Sequence, residues 1–147
     1  MASSHLTRIV YASATSEELA RDELDAMLSS WRRLNAGRGV TGFMLYHRAS
    51  VFQVLEGFPE IVRPLYDAIS SDPRQHQVAK LIDEEIAERA FGDWSMGYVR
   101  LVSTGAATVP LLRAFIDPDF RYWQCDEKTA RQLVAAFATG PWRRSIS

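Results

Sequence analysis

The chain has 147 residues, 47% hydrophobic and 24% charged, with a formal net charge of -1. That length suits one domain burying roughly two-thirds of its unfolded surface, and the near-neutral charge gives no basic field for nucleic acid or an anionic membrane. A lone Cys125 excludes an internal disulfide framework and a cysteine-based zinc cluster, and with His5, His47 and His76 far apart in sequence no metal site is expected.

Leu6 to Ser13, LTRIVYAS, alternates as a first strand, with Ile9, Tyr11 and Ser13 on one face and Arg8, Val10 and Ala12 on the other. Ser16-Glu17-Glu18 places a capping hydroxyl and two acids where a helix is expected to start. From there Leu24, Met27, Leu28, Trp31 and Leu34 fall on helical spacing, and the helix is expected to stop near Asn35, before the glycines of Ala36-Gly37-Arg38-Gly39. Val40 to Gly57 reads as two apolar strands joined by a polar turn. Its third-strand segment carries one misplaced amide: Val51, Gln53 and Leu55 share a face, Phe52 and Val54 the other, and both are apolar apart from Gln53. A buried amide without partners costs roughly 1–3 kcal/mol, so a partner is expected from elsewhere in the chain.

Phe58-Pro59-Glu60 opens a second helix with Ile61, Leu65, Ala68 and Ile69 on one stripe, ended by Asp72-Pro73. Val78 to Ile86 and Trp94 to Val102 read as two further strands. The order suggests an α+β, ferredoxin-like βαββαββ domain: a mixed five-stranded sheet with both helices on one face and the first and third strands adjacent at its centre. Tyr11 and Gln53 are then expected on the same side, within hydrogen-bond reach. After the linker Ser103 to Thr108, two short C-terminal helices are expected over Val109 to Ile116 and Asp126 to Ala138, with the uncovered sheet face as their berth. Residues 1–102 and 103–147 are read as a core and a helical extension of the same domain.

These residues resemble the BLUF family, blue-light sensors using FAD, from Leu6 to about Tyr98. The resemblance is carried by LTRIVYAS, by Asn35 ahead of Gly39-Val40-Thr41-Gly42, by Phe52-Gln53-Val54-Leu55-Glu56-Gly57, by Asp72-Pro73-Arg74, and by Phe91-Gly92-Asp93-Trp94-Ser95-Met96-Gly97, all in family order. It implies a flavin held between the two helices above the sheet, FAD with FMN or riboflavin as alternatives, and Tyr11, Gln53 and Asn35 around its polar edge. It implies further that blue light moves an electron and then a proton from Tyr11 to the flavin through Gln53, whose amide rearranges and shifts the absorption to the red. Arg74 and Gln75 are implied near the cofactor's tail, and Trp94 and Met96, sharing a face of the last strand, as the relay into the sheet. Without the resemblance, the favoured readings are Asn35 as a helix-terminal cap, Arg74 as a solvated arginine, and Trp94 and Met96 as core packing. Three positions depart from the family pattern: Val51 for a phenylalanine, Gln75 for a histidine with His76 displaced by one, and Trp31 for a small hydroxyl residue. Trp31 falls one helical turn before Asn35, and against the family pattern it is expected near the flavin as a competing electron donor.

The implied function is a sensor without substrate turnover, signalling to an unidentified protein effector in trans and expected to self-associate. MASSHLTR lacks a basic region before an apolar run, and no run of 18 apolar residues occurs, so a cytoplasmic chain with no membrane span is expected. Two rivals remain: a flavin-dependent or cofactor-free enzyme on the same scaffold, though the chain has no GxGxxG and no nucleophile beside a base, and a cofactor-free interaction module in which Tyr11 and Gln53 satisfy each other. Colour and a reversible light-induced shift separate the three.

Overall fold

The computed structural model describes residues 5–15, 20–47, 50–73, 75–99 and 126–139. Its strands are β1 (Leu6–Thr15), β2 (Thr41–His47), β3 (Ser50–Gly57), β4 (Gln75–Ile86) and β5 (Gly97–Val99), and its helices α1 (Arg21–Arg38), α2 (Pro59–Ser70) and α3 (Glu127–Thr139). They form one sheet in the order β4-β1-β3-β2-β5. The β1/β3, β1/β4 and β2/β3 pairs are antiparallel and β2/β5 is parallel. This is the expected mixed, ferredoxin-like arrangement, with β1 and β3 side by side.

Alternation along the central strands sorts their side chains into two cores. On one face Ile9, Tyr11, Met44, Val51 and Leu55 pack with Leu24 and Leu28 of α1 and Val62 of α2. On the other, Val10, Ala12, Phe43, Phe52 and Val54 pack with Ala130, Leu133, Val134 and Phe137 of α3. The last helix therefore occupies the face that α1 and α2 leave uncovered, as expected. Its cap is also the expected one, because Asp126 Oδ1 accepts the Thr129 N–H at 2.8 Å. The other expected C-terminal helix, Val109 to Ile116, lies outside the described residues.

Local expectations for α1, α2 and β4 need correction. Helix α1 starts later than Ser16, at Arg21, where the Ala20 N–H donates to Glu23 Oε1 at 3.0 Å; Ser16 to Glu18 lie outside the described residues. It also runs past Asn35 to Arg38, because Gly39, at φ +70°, supplies the left-handed cap. Its buried residues are Leu24, Leu28 and Asn35, with Trp31 partly buried on the same stripe, and Leu34 is left 49% exposed. In α2 the fully buried side chain is Val62, whereas Ala68 faces solvent. Finally, β4 starts at Gln75 and is bulged opposite β1 at two places, between Val10 and Tyr11 and between Ala12 and Ala14, with Gln77 at φ +52°.

Candidate functional site

The β1/β3 register sets Tyr11 directly opposite Gln53, and both are buried. The Tyr11 hydroxyl donates to Gln53 Oε1. On its other side, the Gln53 Nε2 donates to Met96 Sδ at 3.3 Å. Met44, opposite Gln53 on β2, completes the surroundings of the amide. The misplaced amide of the sequence thus has the phenol as its partner, and a thioether as well. A thioether is a weak acceptor, so the amide's N–H side is held less firmly than its carbonyl.

Burial pushes the Tyr11 phenol far above its ordinary pKa, with Tyr66 acting in the same direction. The hydroxyl therefore stays protonated and can donate throughout the neutral range. Tyr66, on α2, meets the Tyr11 ring edge-on at 5.6 Å and 67°. It was not singled out from the sequence, although it follows Val62 by one helical turn and so faces the sheet.

Asn35 is buried on α1, and its Nδ2 donates to the Ser95 carbonyl at 2.8 Å. Its backbone carbonyl, not its side chain, serves the helix end, accepting the N–H groups of Gly39 and Val40. One turn earlier, Arg32 Nε donates to the Met96 carbonyl at 2.7 Å. Trp31 is half-buried on the same face, in the core that contains Tyr11 and Met96.

Trp94 and Met96 do not share a strand face. β5 begins only at Gly97, so the strict alternation that placed them together does not apply. Met96 enters the Tyr11 core, while Trp94 packs against the opposite one, to which α3 contributes. Arg74 lies outside the described residues, and Gln75 opens β4 with its side chain outside them.

The structure thus brings Tyr11, Gln53, Asn35, Trp31 and Met96 to one side of the sheet. Sequence reasoning missed Tyr66, Met44, Arg32 and Ser95. Met44 was recoverable from the hairpin register, but Arg32 and Ser95 act across 64 and 60 residues of chain and carry no local signal. Over this cluster, Met27, Trp31, Ile61, Leu65 and Ile69 on the two helices are only partly buried. Two amides and a phenol beneath partly buried apolar side chains suit a planar ring with an apolar body and a carbonyl and N–H edge. Among the described residues no group of His, Cys, Asp or Glu is arranged to hold a metal, and no helix is long and apolar enough to cross a membrane.

The family described as sensors of blue-light using FAD, BLUF, matches residues 6–97. The chain is 33% identical over 91 residues to the blue light- and temperature-regulated antirepressor BluF of Escherichia coli (strain K12), covering 62% of this chain and 23% of that protein. It is 33% identical over 134 residues to the photoactivated adenylate cyclase subunit beta of Euglena gracilis, covering 88% of this chain and 16% of that protein. It thus spans less than a quarter of the length of these two relatives. Among solved structures, BlsA in its photo-activated state superposes with a TM-score of 0.75 at 27% identity, covering 92% of this chain and 96% of that one. BlrB, a BLUF protein in its dark state, gives 0.67 at 28% identity, covering 90% and 97%.

Proposed function

This chain belongs to the BLUF family of sensors of blue light using FAD, and from that premise we propose that Tyr11 and Gln53 form its photochemical pair. The family is one of flavin-binding photoreceptors, and the Euglena relatives' cyclase activity belongs to those larger proteins. FAD is the flavin proposed, with FMN and riboflavin as the alternatives to be separated by extraction and chromatography.

When bound, the flavin supplies the blue absorption band and an electron acceptor. With the flavin bound, Tyr11 would be the electron donor, and the loss of an electron would make its phenol strongly acidic. Its proton already has an acceptor in line, the Gln53 carbonyl oxygen. Once Tyr11 had regained both electron and proton, Gln53 would be left with its hydrogen bonds in the alternative arrangement, for an amide carries both donor and acceptor on one rotatable group. A glutamate, ionised, offers acceptors only. Asn35 would hold the cofactor's carbonyl and ring N–H from α1, and Arg74 and Gln75 its tail at the start of β4. Met96, in contact with the Gln53 amide, and Trp94, against the opposite core, are the proposed relay.

The observation that carries this reading is the buried Tyr11–Gln53 hydrogen bond between directly opposed residues. Purified protein is expected to be yellow, with a flavin spectrum that shifts reversibly to the red under blue light. Tyr11→Phe is expected to keep the flavin and lose the shift; a preserved shift in that variant would contradict the assignment. For output, the proposal is an effector on a separate chain, in the cytoplasm, with residues 103–147 as part of the same domain and of a self-associating surface. Sedimentation of dark and illuminated protein tests the self-association.

A further inference from the structure

Every residue of β3 is buried, and one of them is a carboxylate. Glu56 has no solvent exposure, yet its two oxygens are fully engaged. Oε2 accepts Arg8 Nη2 at 2.9 Å, Arg8 Nε at 3.2 Å and the Ala90 N–H at 3.0 Å. Oε1 accepts the Phe91 N–H at 2.9 Å and the Thr41 hydroxyl at 3.3 Å. Two of these donors are consecutive backbone amides in the connection between β4 and β5. The carboxylate therefore fixes the start of that connection to the sheet.

The rest of the connection is pinned in sequence. Arg89 Nη1 donates to Thr41 Oγ1 at 2.9 Å and to the Glu56 carbonyl at 3.1 Å. The Trp94 N–H donates to the Phe91 carbonyl at 3.2 Å, and the Trp94 carbonyl accepts the Gly42 N–H at 3.0 Å. Ser95 and Met96 are held through their carbonyls by Asn35 and Arg32. At its end the Met96 sulfur meets the Gln53 amide. The segment also joins the two cores: Phe91 packs on Phe43 at 4.7 Å under α3, and Met96 packs on the opposite face.

Glu56 and Gln53 are three residues apart on one strand, so their side chains point to opposite faces and do not meet directly. Their link is the connection. We propose that Glu56 is a positioning residue which, by anchoring Ala90 and Phe91, sets where Met96 stands against the Gln53 amide. A carboxylate suits the task because it accepts from guanidinium, hydroxyl and two amides at once. A glutamine there offers one oxygen and adds donors, leaving at least one of the connection's N–H groups without its acceptor.

The structural part of this proposal stands without photochemistry, and only its kinetic readout rests on the photoreceptor reading. The test uses the full chain with bound flavin, as wild type, Glu56→Gln, Met96→Leu and the double variant. In the dark, NMR of Glu56→Gln is expected to show the Ala90 or Phe91 amide proton moved upfield and the Met96 methyl resonance displaced, with that of Met27 unmoved. A freer amide returns faster, so dark recovery of the red shift is expected to accelerate roughly twofold or more, the low end of coupling between contacting residues. The double variant is expected to recover at the rate of Met96→Leu alone. An unmoved Met96 methyl, or two accelerations that multiply, would overturn the proposal. A wild type without any red shift defeats the photoreceptor reading instead, and the methyl spectrum still decides the positioning role. Should Glu56→Gln not fold, Arg89→Met loosens the same segment and must displace the same methyl; an unmoved one overturns the proposal equally.

Discussion

Tyr11 and Gln53 are each satisfied by the other, and this mutual satisfaction is what makes both sensitive. The phenol is held protonated chiefly by burial, which has a consequence for stability at high pH. Tyrosine in the unfolded chain ionises near its ordinary pKa of 10.0, whereas the native group stays neutral well above it. The unfolded state therefore releases a proton that the native state keeps, so the stabilisation is fully present below pH 10 and is lost as pH rises toward the native value. Urea unfolding from about pH 8 to 11 is expected to fall with a contribution from Tyr11 approaching 1.4 kcal/mol per pH unit, and Tyr11→Phe to fall less steeply. The variant retains the fall due to Tyr66, whose pKa burial also raises. Trp31, half-buried in the same core, is expected to divert part of the excitation, so Trp31→Phe should raise the yield of the red-shifted state in transient spectra. An unchanged flavin quenching rate in that variant would remove Trp31 as a donor.

Strands and helices were legible in the sequence wherever local periodicity decided them, and less so where distant hydrogen bonds did. The two-residue alternation of 6–13 and 51–55 placed Tyr11 beside Gln53, since a one-residue slip would bury the wrong face. The same alternation misled at Trp94 and Met96, because Gly42, Asn35 and Arg32 take the carbonyls of residues 94–96 before the chain reaches β5. Helix α1 overran Asn35 for a comparable reason: Gly37 offers no stop by itself, and the left-handed conformation falls at Gly39. Gly42 shows how tightly β2 is held at this junction. It adopts φ +153°, and a Cβ there would lie 1.8 Å from the Val54 carbonyl oxygen, a backbone atom that cannot swing aside. Gly42→Ala is expected to cost roughly 3 kcal/mol or more, at the upper end of single-site effects. A denaturant midpoint close to wild type would show that β2 has more freedom than this packing allows.

Across the whole molecule, one sheet serves two cores, and a row of charges runs along the α3 face from the buried anchor to the surface. Glu56 pairs with Arg8, Arg8 also with Glu84 at 3.4 Å, Glu84 with Arg131 of α3 at 2.8 Å, and Arg131 with Glu127 at 2.9 Å. Side-chain exposure rises along the row, from 0% at Glu56 and 14% at Arg8 to 48% at Arg131 and 62% at Glu127, so equal-looking ion pairs should differ greatly in worth. Arg131→Met removes a solvent-exposed partner whose pairs water and salt already screen, and is expected to shift the urea midpoint only slightly, less still in high salt. Arg8→Met leaves the Glu56 carboxylate buried without its cation, and is expected to cost about 3–5 kcal/mol with little dependence on salt. Urea titrations of both variants at low and high ionic strength separate the cases. If the two costs proved equal, α3 would be held to the sheet as much by Arg131 as by Leu133 and Phe137. If Arg8→Met were nearly neutral, the amides of Ala90 and Phe91 would suffice to hold the carboxylate, and the connection would be anchored without the guanidinium.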